Sequence, residues 1–407
     1  MPGSEDPDVI IIGAGPAGLA AAASLSGSGI NVLILEKGSF PRQKVCGGGL
    51  GIRSVNALNR ILPKIGGCFN DIPGITAIRG IHVYAPDNQS HILKTSSIEK
   101  LAGYTIEREL FDQYLVDLVK KTKGVQFLEN HEVDELSTDE DGIRLKGENF
   151  DFRAPMVIIA DGAHSHLAQQ LTGIGFDKDK DAVAVRGIFK NTKLPDEEKL
   201  IEFFFFEEIF PGYLWIFPLD DNTSNVGLYI PLKFATEADK NYKRLLFDLI
   251  DEKSVLADRF QDAVIADDIE GGIIPLGKLD LSYSGDHFLI AGDAASLVDP
   301  LAGEGIGNAL LSGEKAAEQI LRCFEERRFD AGFNKEYDKK IHDITDSEFK
   351  TNHRVIKFFN SNPKVFSYLL RMVDSNQYMR NLAADYLAGE PLRVNPISYR
   401  FIKGLFT

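Results

Sequence analysis

Three glycines open the set of residues whose types and spacing could do chemistry. Gly13, Gly15 and Gly18 stand at G-x-G-x-x-G spacing, between the apolar run Val9-Ile10-Ile11-Ile12 and an Ala-rich stretch. In a strand–turn–helix unit that spacing has a physical meaning. Gly13 permits the sharp turn, Gly15 leaves room for a pyrophosphate against the backbone, and Gly18 lets helix and strand pack closely. Free N–H groups at the helix start then face the anion. Glu36 ends a second apolar run eighteen residues past Gly18, where a carboxylate can accept from a ribose 2′-OH. Strand, turn, helix and terminal acid in that order point to nucleotide binding. The competing reading is a small-residue turn with no ligand.

Other candidates lie far along the chain. Cys46 is followed by Gly47, Gly48 and Gly49. Successive glycines suit neither a helix nor a strand interior, so this reads as a loop whose backbone can lie along a flat ligand, with Cys46 beside it. Met156 to Ala160 is an apolar strand ending in Asp161-Gly162, and Phe288 to Ala291 is another, ending in Gly292-Asp293. Pro300, Gly303, Gly305 and Gly307 then form a second Gly-rich turn, leading into a predicted helix through Leu310 to Glu325. Two helix N-termini some 290 residues apart suit a long cofactor. FAD would set its pyrophosphate at the first turn, and the second helix dipole would stabilise reduced flavin near its N1/O2 edge. Asp293 could accept from the ribityl chain.

The elements that must position these groups follow from pattern. Residues 53–62 and 109–121 read as amphipathic helices, with Arg108 at the start of the second, where its plainer role is an exposed charge paired with a neighbouring acid. Residues 79–84 and 91–94 read as a hairpin around Pro86-Asp87-Asn88. Strands are expected at 125–128, 133–136, 142–146, 182–189, 200–206, 226–231 and 269–275, and a helix at 238–250. Tyr213-Leu214-Trp215-Ile216-Phe217-Pro218 holds the single Trp of the chain. Its alternation places Tyr213, Trp215 and Phe217 on one face. These rings, and the run Phe203 to Phe206, line either a cavity or plain sheet core. His164 and His166 read as surface residues. From 331 onward the chain reads as helical, with breaks near 360–363 and 389–391.

Composition bounds the class. The chain has 407 residues, 44% hydrophobic and 26% charged, with net charge −15, which argues against nucleic acid as a partner. Three cysteines without CxxC or metal spacing suggest a reducing, cytoplasmic setting and no metal site. No charge interrupts the stretch from Val9 to Leu35. The Gly-Ala-Gly-Pro break favours strand–turn–helix over a membrane span there. From Lys350 onward nine basic residues face three acids, so the C-terminus could touch a membrane surface. A solvated helical face explains it equally well.

In order, the dinucleotide turn with Glu36, Arg108, Asp161-Gly162, Gly292-Asp293 and Pro300 to Gly307 resembles the para-hydroxybenzoate hydroxylase-like flavoprotein superfamily. Within it, Lys44-Val45-Cys46-Gly47-Gly48-Gly49 and Pro211 to Pro218 resemble the geranylgeranyl reductase family. The resemblance spans about residues 8 to 325. It implies an α/β chain with a Rossmann-like FAD-binding domain, an inserted antiparallel-sheet substrate domain and a C-terminal helical extension. The FAD-binding domain is expected at 1–75, 100–175 and 280–325, the substrate domain at 76–99 and 176–279, and the helical region at 326–407. By the same resemblance Ala17 and Glu36 contact the adenosine half of FAD, and Val133 brings backbone to its adenine side. Cys46, Gly47 and Gly49 lie along the flavin, Arg108 sits against the cofactor, and Asp293, Gly305 and Ile306 hold the ribityl and isoalloxazine parts. Tyr213 and Trp215 line an isoprenoid tunnel.

The implied activity is saturation of geranylgeranyl-type double bonds by hydride from FADH2, with Cys46, Tyr213 and Trp215 at the reaction. A thiol beside flavin could donate a proton or tune it, though a small inert loop residue would look the same. The electron donor would be NAD(P)H or a ferredoxin-like protein. The competing functions are a flavin monooxygenase or halogenase, whose Trp-x-Trp-x-Ile-Pro motif is not matched because Tyr213 and Phe217 replace two of its positions, and a flavin-bearing carrier or sensor.

Overall fold

The computed structural model describes residues 6–95, 101–194, 199–220, 222–235 and 241–390. Its organising element is a six-stranded sheet in the order Ser284–Gly285, Phe288–Ile290, Met156–Ile159, Val9–Ile12, Val32–Leu35, Val125–Leu128. All pairings are parallel except that of Ser284–Gly285 at one edge. Strands buried on both faces read as continuous apolar runs rather than alternating ones, and Val9–Ile12, Val32–Leu35 and Met156–Ile159 are buried throughout. The chain leaves Val9–Ile12, pairs next on one side with Val32–Leu35, and returns much later on the other side with Met156–Ile159. Strand order therefore reverses at Val9–Ile12, and the carboxyl end of that strand is the crevice where an open α/β sheet takes its ligand.

The uncharged stretch from Val9 to Leu35 is this strand, the helix Pro16–Leu25 and the next strand. Proline at the helix start and small alanines behind it let the helix pack closely, and nearly all of it is buried. It lies against the long helix Ile306–Glu326: a Cβ on Gly313 would sit 2.1 Å from the Ala17 carbonyl oxygen. Among the described residues no helix is long and apolar enough to cross a membrane.

A second, mostly antiparallel sheet carries the aromatic motif. Its order is Val264–Ile265, Ala182–Lys190, Thr223–Pro231, Tyr213–Pro218, Leu200–Phe204, Gly80–Tyr84, Ser90–Lys94, with Glu270–Ile274 also pairing with Ala182–Lys190. Side-chain alternation splits it cleanly. One face buries Leu214, Ile216, Val226 and Leu228 under the helices Tyr242–Glu252 and Ser254–Phe260. The other gathers Tyr213, Trp215 and Tyr229 with Phe203, Phe205 and Phe217. The phenylalanine run is thus divided, with Phe204 and Phe206 in the first core and Phe203 and Phe205 on the opposite face.

Three details depart from expectation. The strand expected at 133–136 forms at Glu135–Asp139, and with Gly142–Gly147 and Phe150–Ala154 it makes a separate three-stranded sheet rather than extending the parallel one. Gly49 is not loop but opens the short strand Gly49–Gly51, which pairs with Gly103–Thr105. The C-terminal region divides into Ala331–Ser361, Pro363–Ser375 and Gln377–Leu387, with an extra break where Asn376 caps the last helix by accepting from the Met379 N–H. The opening of the helix expected at 238–250 and everything past 390, including Arg393, Arg400 and Lys403, lie outside the described residues.

Candidate functional site

A cavity of about 1010 Å³ runs from the carboxyl edge of the parallel sheet, past the aromatic face, to the C-terminal helices. Its first end is built from the dinucleotide turn. Gly13 has φ +97, and a Cβ there would lie 2.4 Å from the Ala160 carbonyl oxygen. Gly15 has ordinary extended dihedrals, and a Cβ on it would meet nothing within 4 Å. The space it leaves belongs to the cavity. No side chain caps the helix that starts after Gly15, so its free N–H groups remain available to an anion. Ala17, Val133 and Asp161 also line this end. The Glu36 carboxylate is buried and oriented by the Ala14 N–H at 2.8 Å, the Gly38 N–H at 3.0 Å and the Arg42 guanidinium at 3.3 Å. Asp161 Oδ1 is buried without a hydrogen-bond partner, and burial pushes its pKa up.

Gly18 does not line the cavity. A Cβ there would sit 2.0 Å from the Gly13 carbonyl oxygen, so its part is to hold helix and turn together, not to touch a ligand. Pro300 does not line it either; its carbonyl accepts from the Tyr229 hydroxyl at 2.9 Å.

At the middle of the cavity two motifs that are separate in sequence become one structure. Trp215 Nε1 donates to Asn225 Oδ1 at 3.0 Å, and Asn225 Nδ2 donates to the Cys46 carbonyl at 2.8 Å. The indole thereby fixes the Cys46 loop through an asparagine. A Cβ on Gly47 or Gly49 would fall 3.0 or 3.2 Å from the Phe217 ring, so that loop lies flat on the aromatic face. Cys46 Sγ accepts from the Gly48 N–H at 3.4 Å, and the Arg108 guanidinium feels the Cys46 sulfur electrostatically.

Arg108 is buried, not the exposed charge of its plainer reading. Both arms of its guanidinium hold Asp112, at 3.0 and 2.8 Å, and Arg42 lies 3.9 Å from the same carboxylate. Burial alone would disfavour the Arg108 cation. Asp112, with Cys46 behind it, outweighs that and raises the pKa further.

Opposite the Cys46 loop, Tyr213 donates to the Ala302 carbonyl at 2.6 Å. Gly303 has φ +68 and packs against the Tyr213 and Tyr229 rings, which a Cβ would approach to 3.2 Å. Burial first, then the Asp299 charge, keeps the Tyr213 phenol well above its ordinary pKa and therefore neutral. Gly305 precedes the second helix, again with no side-chain cap, and Asp293 and Ile306 line the wall beside it. Beyond the rings the cavity becomes aliphatic and aromatic, between Ile81, Val83 and Phe205 on the sheet and Phe366, Leu369 and Val373 on the C-terminal helices. His164 and His166 are exposed at its rim.

Two uncapped helix N-termini on one elongated cavity, joined by a flat glycine loop, fit the charge and length of FAD. Sequence reading missed Asn225, Asp112 and Arg42. Asp112 stands at i+4 from Arg108 on a helix, a pairing legible in principle, whereas nothing local marks Asn225. It also missed a polar wall formed by Arg53, Asp299, Glu304, Glu348 and Tyr386.

Comparison with known proteins agrees with this architecture. Residues 6–330 match the family model described as FAD binding domain. Digeranylgeranylglycerophospholipid reductase 2 of Methanopyrus kandleri is 29% identical over 87% of this chain and 86% of its own length. Among solved structures, a geranylgeranyl bacteriochlorophyll reductase-like protein from Thermoplasma acidophilum superposes with TM-score 0.76 at 22% identity, covering 99% of this chain and 96% of the other. A flavin-dependent brominase superposes with TM-score 0.75 at 20% identity, covering 98% and 97%. At those identities the two structures share the fold.

Proposed function

The chain belongs to the geranylgeranyl reductase family of FAD-dependent oxidoreductases, and from that premise we propose that it saturates carbon–carbon double bonds of an isoprenoid chain. The observation that carries this reading is the continuity of the cavity, which passes from the dinucleotide turn across Cys46 and Trp215 into an apolar channel with few polar handles. Such a channel suits a long hydrocarbon better than a compact aromatic ring. The name of the Methanopyrus relative makes a lipid-borne chain the first substrate to try.

Bound FAD, once reduced, supplies the hydride. This chain's own residues do the rest. The helix starts at Gly15 and Gly305 hold negative charge. Glu36, Val133, Asp161 and Asp293 provide polar contacts along the cofactor's length, and Arg108, locked by Asp112, fixes the Cys46 side of the loop. Tyr213, Trp215, Phe203 and Phe217 orient the chain and exclude water. An isolated alkene is a poor hydride acceptor, so a proton must reach one carbon as hydride reaches the other. The aromatic faces can stabilise the positive charge that develops. Cys46 Sγ, between the Gly48 N–H and Arg108, is held where it can position or protonate substrate.

Anaerobic mixing of the pre-reduced protein with polyprenyl substrates tests the reading. Flavin reoxidation with a product heavier by two hydrogens is expected, and no reoxidation with any such substrate overturns it. The brominase-like fold makes oxygen chemistry the second reading, and substrate-stimulated oxygen uptake would favour it. The electron donor is proposed as NAD(P)H or a ferredoxin-like protein, to be distinguished by which one bleaches the flavin. Lys357, Lys364 and Arg371 on the C-terminal helices support contact with an anionic membrane surface, testable by vesicle co-sedimentation.

A further inference from the structure

Strand Thr223–Pro231 pairs antiparallel with Tyr213–Pro218, so that Trp215 stands opposite Gly227 and Phe217 opposite Asn225. Asn225 is thus the diagonal neighbour of Trp215, a separation that only a long side chain spans. The bare backbone at Gly227 lets the indole span it. A Cβ there would lie 2.4 Å from the indole ring. The ring lies over Gly227, and its Nε1 reaches Asn225 Oδ1 at 3.0 Å. Both side chains are buried.

The chemistry of the two ends dictates what can join them. An indole N–H only donates, and a peptide carbonyl only accepts. A side chain between Trp215 and the Cys46 carbonyl must therefore accept on one side and donate on the other. An amide does this without charge, in one orientation, and Asn225 Nδ2 donates to the Cys46 carbonyl at 2.8 Å. From the opposite side, the Ile106 N–H donates to the Gly48 carbonyl at 2.9 Å, and a Cβ on Gly48 would stand 2.0 Å from the Ile106 oxygen. Cys46 and Gly47 lie between these two tethers and line the cavity. Their peptide is trans and planar. Holding its carbonyl against Asn225 therefore fixes the peptide plane, and points the Gly47 N–H the other way.

We propose that Asn225 is a positioning residue for the alkene reduction, acting through the Cys46–Gly49 loop, and that Trp215 serves the reaction through its indole N–H and not only as a wall of the channel. The inference rests on the alkene-reductase reading, which sets reduced FAD and substrate against this loop. Breaking either link lets the loop turn. The loss then falls on the reaction step, with FAD content and substrate affinity little changed.

The test compares FAD-loaded wild type with N225D, N225L, W215F and the double variant N225L/W215F. N225D keeps the shape. Its carboxylate sets an oxygen against the Cys46 carbonyl, whereas the protonated acid donates there as the amide does. Single-turnover reoxidation of the pre-reduced protein by a polyprenyl substrate should fall about 10–100-fold in N225D at neutral pH. It should recover as pH falls and the introduced acid takes up its proton, and the absorption spectrum of the oxidised flavin should change with the same pH dependence. N225L should lose as much at every pH. W215F keeps an aromatic wall but removes the donor, and should lose as much as N225L. The double variant should lose no more than about twofold beyond either, because both break one chain of contacts. Substrate Kd should stay within about threefold throughout. A W215F rate within threefold of wild type, losses that multiply in the double variant, or an N225D defect independent of pH each overturn the proposal while the reductase reading stands. A wild type that no polyprenyl substrate reoxidises overturns the reductase reading and this role in it, even where the N225D flavin spectrum follows pH.

Discussion

Replacing Gly15 and Gly18 separately by alanine should produce opposite failures, although both glycines belong to one motif. At Gly15, φ is −82 and an added Cβ meets nothing within 4 Å, so alanine fits the apoprotein. Reduced freedom of the unfolded chain should even stabilise it by about 0.4–1 kcal/mol. The methyl group would instead occupy the space a pyrophosphate needs. Losing two charge-assisted hydrogen bonds, at about 1.5–3 kcal/mol each, should weaken FAD binding by roughly 10²-fold or more. At Gly18 the added Cβ would stand 2.0 Å from the Gly13 oxygen and 3.1 Å from Ile11 Cγ2. Both neighbours belong to the central strand and its turn and cannot retreat without disturbing the sheet, so overpacking should cost about 1–3 kcal/mol or more. Denaturant unfolding of the apoproteins reads the first quantity, and quenching of FAD fluorescence on titration reads the second. A destabilised G15A apoprotein, or G15A binding FAD within threefold of wild type, would refute the reasoning.

Other substitutions give distinct expectations. D112N strips the anion from between Arg108 and Arg42 and should cost about 3–5 kcal/mol, read by urea unfolding; a loss under 1 kcal/mol would mean the pair is not buried as described. D299N should be more stable than wild type at pH 8 by about 2–3 kcal/mol. The folded Asp299 pKa is raised from 3.8 to about 6, so its contribution is present below the lower value and lost as pH rises through the upper one. The gap should therefore close as pH falls below about 4, and a gap independent of pH would contradict this. C46A should retain FAD while losing about 10²-fold in turnover; unchanged turnover would remove the sulfur from the chemistry.

How much was legible depends on how local each feature is. Gly13, Gly15, Gly18 and Glu36 sit within one strand–turn–helix–strand unit, so their spacing encodes their geometry and each could be assigned a use. The alternation of Tyr213, Trp215 and Phe217 likewise defines a face. Sequence could not say whether that face was core or cavity, because both bury aromatic rings equally well. Gly18 was read as the glycine that lets helix and strand pack closely, and its approach to the Gly13 oxygen agrees, whereas Pro300, which stands inside a ligand-binding motif, is accounted for by a Tyr229 hydrogen bond. From its neighbours alone Arg108 could equally have been an exposed charge, because its burial depends on Asp112 accepting from two nitrogens of the guanidinium.

By itself, then, the sequence determined the phosphate-binding turn, the parallel strands around it, the second uncapped helix and the aromatic strand. Those rest on periodicity and on the backbone freedom of glycine, which act over a few residues. Only the tertiary structure decided that Trp215 holds the Cys46 loop through Asn225, 179 residues from Cys46. It alone brought Arg53 to Glu348, 295 residues away, and gathered Asp299 and Glu304 beside them. Charge neutrality in a buried wall is a property of the whole set of groups that meet there, and no stretch of chain carries it alone.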